Sequence, residues 1–330
     1  MSKSLEGATV LVTGGAGLIG SHIVDRLIDE RVGEIRVLDN LIRGRLANLS
    51  DAMARYPIRF IQGDVRDRDA VAAAVEGCDY VSHQAAIRIT LCAEQPRECM
   101  DVLVMGTFNV FEAAVAARVK RVVYASSASV YGAADVFPTS EMHHPYNNRT
   151  LYGAAKLMDE GVARSFYDMY GLNSIGLRYF NVYGPRMDVT GVYTEVFIRW
   201  LDCIDRNQAP AIHGDGSASM DFVYVEDVAR ANIAAMKSDV PLDVFNVASG
   251  RETSLLQLWQ AMQRVTGASH LSPEFHPPRR VNPVPRRLAD ISHIEKALGY
   301  APETPLDEGL RRLVKWRKDA LINREEALVK

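Results

Sequence analysis

Tyr152 and Lys156 stand four residues apart in TLYGAAKLMDE, a stretch with helical character, and that spacing places both side chains on one helix face. A phenol ordinarily titrates near pH 10 and is a poor base at neutral pH, but a neighbouring ammonium favours the phenolate. The pair is therefore suited to taking a proton from an alcohol, with Tyr152 as the acid/base. Taken alone, it also describes an aromatic and a lysine on a partly solvated helix face. A hydroxyl partner stands upstream. The apolar run Arg121 to Ser126 ends in Ser126-Ser127-Ala128-Ser129, at what would be the C-terminal edge of a strand, where open α/β sheets bind ligands.

The elements that must position this chemistry begin at the first strand. In ATVLVTGGAGLIG, a β-rich run from Ala8 to Thr13 passes into glycines at 14, 15, 17 and 20, and an amphipathic segment starts at Leu18. Strand, tight turn and helix in that order form a cradle for a pyrophosphate: Gly14, Gly17 and Gly20 let backbone approach closely, and the free N–H groups at the helix start face the anion. Asp39 ends the next apolar run about 20 residues beyond the last glycine, where a carboxylate accepts the ribose 2′-OH of NAD and repels the 2′-phosphate of NADP. The same residue would also serve as a strand-end turn, and Arg43 and Arg45 lie close by. An oxidised nicotinamide would add its positive charge to that of Lys156 in favouring a phenolate at Tyr152. Asp64 and Val65 follow the short strand Ile58 to Ile61, so Asp64 is either a contact for an adenine amino group or a turn residue. Ala85 and Ala86, after Tyr80 to Ser82, let a strand end lie close to a flat ligand.

Leu18 to Glu30 puts Ile19, Ile23 and Leu27 on one face, Gly33 closes it, Asp67 caps a helix through Val75, and Met100 to Val119 reads as a long helix. Strands alternating with helices predict an α/β fold, a doubly wound parallel sheet of the Rossmann kind. At 330 residues the chain should hold two domains. We place a dinucleotide-binding domain at 1–183, with a returning segment near 221–250 (helix Glu226 to Lys237, strand Val244 to Val247), and a smaller substrate lobe at 184–330. Within that lobe five prolines between Ser272 and Pro285 should preclude regular structure, and Leu306 to Lys318 reads as a closing helix.

With 24% charged residues and a net charge of −3, the composition is that of an ordinary soluble enzyme and gives no support to a nucleic-acid partner. The opening MSKSLEG runs straight into the first strand, which leaves no room for a secretion signal and predicts a cytoplasmic protein. Charged residues interrupt every apolar run before the roughly 18 residues of a membrane helix, so no membrane is expected. Cys78, Cys92, Cys99 and Cys203 lack CxxC spacing and should be buried thiols. His143 and His144 have no Cys, Asp or Glu at ligand spacing, so no metal is expected. The arginines at 279, 280, 286 and 287 are either a solvated face or a prolyl loop held beside a diphosphate.

As a set, TGGAGLIGSH, LDN at Asp39, GDVRD at Asp64, YASSASVYG, Tyr152 with Lys156, and LRYFNVYGPR from Leu177 resemble the extended short-chain dehydrogenase/reductase family, in particular its nucleotide-sugar 4-epimerases. The resemblance spans essentially the whole chain. It implies that Tyr152 is the catalytic acid/base, that Lys156 lowers its pKa and hydrogen-bonds the nicotinamide ribose, and that Ser127 bonds the reacting sugar oxygen. It implies a tightly held NAD, contacted by Gly14, Gly17, Leu18, Ile19, Gly20, Asp39, Asn40, Asp64, Val65, Ala85, Ala86 and Tyr179. It further implies a nucleotide-sugar substrate, with UDP the expected nucleotide, touched by Asn181. Such epimerases oxidise carbon 4 to a ketone, let the 4-keto sugar turn over, and return the hydride to its other face.

Several positions depart from the family pattern. Met220 stands where an arginine usually contacts the diphosphate, whereas Arg280 matches the second such arginine. The position that gauges the carbon 2 substituent falls at Arg287. The dehydratases carry an Asp-Glu pair directly after the catalytic hydroxyl, and here those positions are Ala128 and Ser129, which disfavours dehydration. Related uronate epimerases carry an arginine where this chain has Asp188, which argues against a uronic-acid substrate. A homodimer built on Met100 to Val119 and Leu151 to Tyr170 is implied as well. The competing readings are a nucleotide-sugar 4,6-dehydratase or reductase and, in another class, a catalytically silent NAD-binding sensor or scaffold.

Overall fold

The computed structural model describes residues 3–189, 195–278 and 284–329, with side chains as far as Ala320. Strands form where β-branched and aromatic runs lie between turn residues: β1 (Thr9–Thr13), β2 (Glu34–Asp39), β3 (Ile58–Gln62), β4 (Tyr80–His83), β5 (Arg121–Ser127), β6 (Ser174–Tyr179), β7 (Asn181–Tyr183), β8 (Ala211–His213), β9 (Ser219–Tyr224), β10 (Leu242–Val247), β11 (Glu252–Ser254) and β12 (Glu274–His276). Seven of them make one sheet in the order β10-β6-β5-β4-β1-β2-β3, and every pairing in it is parallel. Such strands are covered on both faces, which is why β1 reads as TVLVT with no alternation and is buried along nearly its whole length. The strand order reverses between β1 and β4, so a crevice opens there at the carboxyl ends of the strands.

Helices Leu18–Asp29 and Val225–Lys237 close one face over Val10, Val12, Ile23, Leu27, Val228 and Phe245. Helices Arg68–Val75, Gly106–Ala116 and Leu151–Tyr170 close the other over Leu11, Val81, Val110, Phe111, Val122 and Phe166. Cys78, Cys92 and Cys99 are buried and free, and Cys203 is half-buried. The long helix expected at Met100 starts earlier, at Pro96, whose missing N–H costs nothing in a first turn, and it passes through a π-helical turn, Met100–Met105, before the α-helix resumes at Gly106. This corrects the sequence expectation about membrane spans. Pro96–Ala116 is 21 residues long with a mean hydropathy of 1.5, long and apolar enough to cross a membrane, but 61% of its apolar window is buried inside the fold. Three of its four charges, Arg97, Glu98 and Asp101, gather near its start and the fourth, Glu112, pairs with Arg68 on the outside, which leaves the remaining face free to serve as a core helix.

A smaller sheet holds β9 between β7, parallel to it, and β11, antiparallel. Around it Tyr183, Phe197, Trp200, Phe222, Trp259, Leu310 and Leu313 form a separate apolar cluster. β10 belongs to the large sheet beside β6, so the chain returns to the first lobe as the sequence suggests. Two expectations need correction. β12 lies inside the proline-rich stretch and pairs in parallel with β8, because Pro273 and Pro277 flank the strand and leave its three N–H groups available. The closing helix runs from Leu306 to Val329, well past Lys318.

Candidate active site

The loop after β1 is built for a close ligand. Gly14 has φ +65°, and a Cβ there would lie 2.7 Å from the Ala85 nitrogen and 2.8 Å from its Cα, so only hydrogen fits between the two strand ends. Gly17 starts the Leu18–Asp29 helix without a side-chain cap, which leaves the first-turn N–H groups of Leu18, Ile19 and Gly20 for an anion. The Asp39 carboxylate sits at the end of β2, where Oδ2 accepts from Ala16 N–H at 3.0 Å and Oδ1 from Leu41 N–H at 2.8 Å. Burial raises its pKa and those two backbone donors oppose the rise. Asp64, read from the sequence as either an adenine contact or a turn residue, is gripped by Arg66 through Nε at 2.9 Å and Nη2 at 2.8 Å, and Asn40 Nδ2 donates to it at 2.8 Å. The Arg66 bonds, helped by Asn40, hold that carboxyl down at about 2. Val65 and Arg66 line the cleft beside it, and Arg66 is a residue that sequence reasoning missed.

Ser127 ends β5 and caps the short 3₁₀ turn Ala128–Tyr131, its Oγ accepting from Ser129 N–H at 3.1 Å. Tyr152 opens the helix Leu151–Tyr170, whose start is fixed by Thr150 Oγ1 accepting from Gly153 N–H. Ser127 and Tyr152 both line the cleft. Lys156, one turn on, is buried beneath that wall with its Nζ 3.2 Å from Asp159 Oδ2. Burial by itself would lower the lysine pKa, but the charges of Asp159 and Tyr152 outweigh it and keep Lys156 a cation. Asp159 is a second missed residue. The LMDE spelling holds two acids, and only the fold shows that Asp159 turns towards Lys156 while Glu160 binds Arg178 and Ser126.

Tyr179, at the end of β6, donates to Gln84 Oε1 at 2.9 Å and accepts from Asn232 Nδ2 at 2.8 Å, which holds its ring on the cleft wall with Ala85 and Ala86. Asn181, Met220 and Arg287 line the far side, whereas Arg280 lies outside the described residues. A further network missed in the sequence backs the β4 end. His83 Nδ1 lies 2.7 Å from Thr13 Oγ1 and its Nε2 3.1 Å from Thr107 Oγ1, and Thr13 Oγ1 also accepts from Gln84 and Ala85 N–H. The histidine pair does have an acidic neighbour: Asp135 Oδ1 is 2.7 Å from His143 Nε2 and Oδ2 is 3.6 Å from His144 Nε2, a contact made by loop folding and invisible to ligand spacing. None of the three lines the cleft.

One cavity of about 1860 Å³ runs from Gly14 past Ser127 and Tyr152 to Arg287. Single-ligand pockets are typically about 300 to 1000 Å³, so this one has room for a dinucleotide and a second ligand end to end. A doubly wound sheet, a glycine cradle at its switch point and a serine, tyrosine and lysine at the middle of such a cleft define a dinucleotide-dependent enzyme of alcohol and ketone chemistry. Residues 10–248 match the NAD dependent epimerase/dehydratase family, and the chain belongs to that family. It is 36% identical over 313 residues, 94% of this chain and 98% of the other, to a putative UDP-glucose 4-epimerase of Methanocaldococcus jannaschii. Its fold matches UDP-N-acetylglucosamine 4-epimerase from Methanobrevibacter ruminantium, solved with UDP-N-acetylmuramic acid, at a TM-score of 0.90 and 32% identity over 96% of this chain and 99% of that one. It also matches the Thermus thermophilus UDP-glucose 4-epimerase complex with NAD at 0.83 and 30% identity, covering 94% and 99%.

Proposed function

We infer that the protein is an NAD-dependent nucleotide-sugar 4-epimerase acting on UDP-sugars. The observation that carries this reading is the meeting of Ser127 and Tyr152 on one cleft wall, with the Lys156 cation directly behind, at the switch point of the sheet. NAD, when bound, would supply the reversible hydride acceptor for carbon 4 of the sugar. The glycine cradle fits its pyrophosphate and Asp39 its ribose, since a Cβ at Gly14 would strike Ala85. Tyr152 takes the proton of the carbon 4 hydroxyl and returns it, Ser127 holds that oxygen, and Lys156 stabilises the phenolate. Asn181 and Arg280 are assigned to the nucleotide sugar. Residues 1–183 with the returning segment form the cofactor lobe and the remainder the substrate lobe. Met105, Phe108, Met158, Met169 and Tyr170, exposed on neighbouring helices, make the surface on which a homodimer would form.

Dehydration is disfavoured because Ala128 and Ser129 offer neither the acid nor the base needed to remove the carbon 5 proton and expel the carbon 6 oxygen. The test is incubation with UDP-sugars in deuterated water, followed by NMR. Interconversion of carbon 4 epimers without ring deuterium is the expected result, and a 4-keto-6-deoxy product carrying deuterium at carbon 5 would refute the reading.

A further inference from the structure

The loop that joins the two catalytic elements gathers ligand chemistry for which the reaction described above has no use. It leaves the Ala128–Tyr131 turn and returns at Thr150, the cap of the Tyr152 helix, and three of its side chains converge. Asp135 Oδ1 lies 2.7 Å from His143 Nε2, Oδ2 lies 3.6 Å from His144 Nε2, and ligand atoms of all three residues fall within 4.8 Å of one another. Among the described residues no other group of three His, Cys, Asp or Glu side chains comes so close.

Hydrogen bonds fix which way the nitrogens face. His143 Nδ1 is 2.7 Å from His144 O, and a carbonyl only accepts, so Nδ1 carries a hydrogen. In the neutral ring Nε2 then presents its lone pair, and Asp135 N–H points at that nitrogen from 3.3 Å, as it would at an acceptor. Yet Nε2 also faces a carboxylate oxygen at 2.7 Å. Two acceptors at that distance need a positive charge between them. A proton would answer for His143 alone, whereas an ion shared with His144 answers for all three side chains.

The surroundings suit a metal. A ring that donates Nδ1–H to a backbone carbonyl is the usual way a protein orients a histidine ligand. The His143 side chain is 4% exposed and sits edge-on to Tyr131, while those of His144 and Asp135 are 44% and 59% exposed, so one wall is dry and the other open to an incoming ion and its water. The Tyr146 ring stacks on His144 at 5.3 Å and steadies it. Two imidazoles and a carboxylate fit zinc and its neighbours better than magnesium or calcium, which take oxygen. Ligand atoms on a tetrahedral zinc stand about 3.3 Å apart, between the two separations found here. What an ion displaces is small: the 3.3 Å contacts of Asp135 N–H with His143 Nε2 and of Tyr146 N–H with His144 Nδ1.

We propose that Asp135, His143 and His144 form a site for a divalent ion of the zinc type, its shell completed by water, that braces the loop leading into the Tyr152 helix. The loop is closed at its base, where Ala133 N–H reaches Asn147 O at 3.4 Å, a Cβ at Gly132 would strike the same oxygen, and Asn147 Nδ2 lies 3.5 Å from Asp135 Oδ2. Asn148, next in the chain, accepts from Thr150 N–H at 3.0 Å. An ion here therefore stiffens the segment that carries the cap of the catalytic helix without entering the cleft.

The experiment adds zinc to tag-free, chelator-treated, NAD-loaded protein and counts bound metal by equilibrium dialysis, for wild type, His144→Ala, Asp135→Asn and, as a control away from the site, His276→Ala. Wild type should hold one zinc per chain at micromolar free zinc. His144→Ala and Asp135→Asn should each weaken binding at least about tenfold, with melts in chelator unchanged, and His276→Ala should bind as wild type does. Zinc should raise the melting temperature of wild type and not that of His144→Ala. Cobalt(II) in its place should show ligand-field bands with no thiolate charge-transfer band. Wild type without stoichiometric zinc would overturn the proposal and leave Asp135 and His143 as a proton-bridged pair. Equal binding by wild type, His144→Ala and Asp135→Asn would overturn it too, as would a thiolate band, which would put the metal at Cys203. Zinc binding is read without turnover, so its failure leaves the epimerase reading untouched.

Discussion

A single oxygen separates the competing readings at the residue scale. Tyr152→Phe keeps the ring that lines the cleft and removes only the hydroxyl, so it should leave NAD bound and abolish turnover, by about 10² to 10⁴ for the loss of a positioned base. Rate measurements on NAD-loaded protein check this, and a variant within a few-fold of wild type would return the protein to the silent NAD-binding class. Asp39 gives a second expectation. Its carboxylate is held by Ala16 and Leu41 N–H and capped by Gly44, whose Cβ would come within 2.6 Å of Oδ1, so a 2′-phosphate would meet a fixed negative charge. Wild type should favour NAD over NADP, and Asp39→Ala should erode that preference in direct binding measurements. Gly14, Ser127 and Tyr152 are legible in the sequence because each chemistry depends on a residue type at the end of an element. Asp159, Arg66 and Asp135 are not, because an acid or arginine in a polar stretch gains its meaning only from the partner that the fold turns towards it.

At the scale of elements, the helix Leu151–Tyr170 carries the site on one face and the core on another. Its acids divide the work: Glu160 neutralises Arg178 across to β6, and Asp159 neutralises Lys156 within the helix. Both ends are signalled in the sequence by Thr150 as N-cap and by Gly171, which takes φ +69° at the C-terminus. The interior is harder to read, since LYGAAKLMDEG fits a solvated amphipathic helix as well as a buried one. Asp159→Asn preserves shape and removes the counter-ion of a fully buried lysine. Breaking a buried pair by deleting one partner costs about 3 to 5 kcal/mol, so a loss near 3 kcal/mol is expected in denaturant unfolding. A change under about 1 kcal/mol would mean that Lys156 has another source of compensation. The π-helical turn at Met100–Met105 has no comparable sequence signal, and nothing in the structure explains it.

At the scale of the whole molecule, stability depends on two buried imidazoles that stay neutral, His83 behind the β4 end of the large sheet and His22 on the Leu18–Asp29 helix. His83 is fully buried between Thr13 and Thr107. The Thr107 hydroxyl donates to Leu103 O, so its oxygen accepts from Nε2–H, while Nδ1 accepts from Thr13. Burial, aided by the Lys156 charge, lowers its pKa to about 3, and His22 is lowered to about 3 by burial and by Arg186. In the unfolded chain both would titrate near 6.5. Between pH 3 and 6.5 the unfolded state therefore binds more protons than the folded one, so stability is complete above that window and falls as pH drops through it. From pH 7 to 5 each group should cost about 2 kcal/mol. Asp159 works in the other direction, because burial raises its carboxyl to about 6 and the folded state then gains protons as pH falls below that value. The net slope mixes these groups, and a single substitution separates them. His83→Gln removes one titrating imidazole and keeps polar atoms between the two threonines. Its unfolding free energy, measured by denaturant titration at pH 7 and pH 5, should depend on pH by about 2 kcal/mol less than that of wild type. Parallel curves for the two proteins would show that His83 is not held neutral, and the network behind the β4 end would then have to be drawn with a charged imidazole.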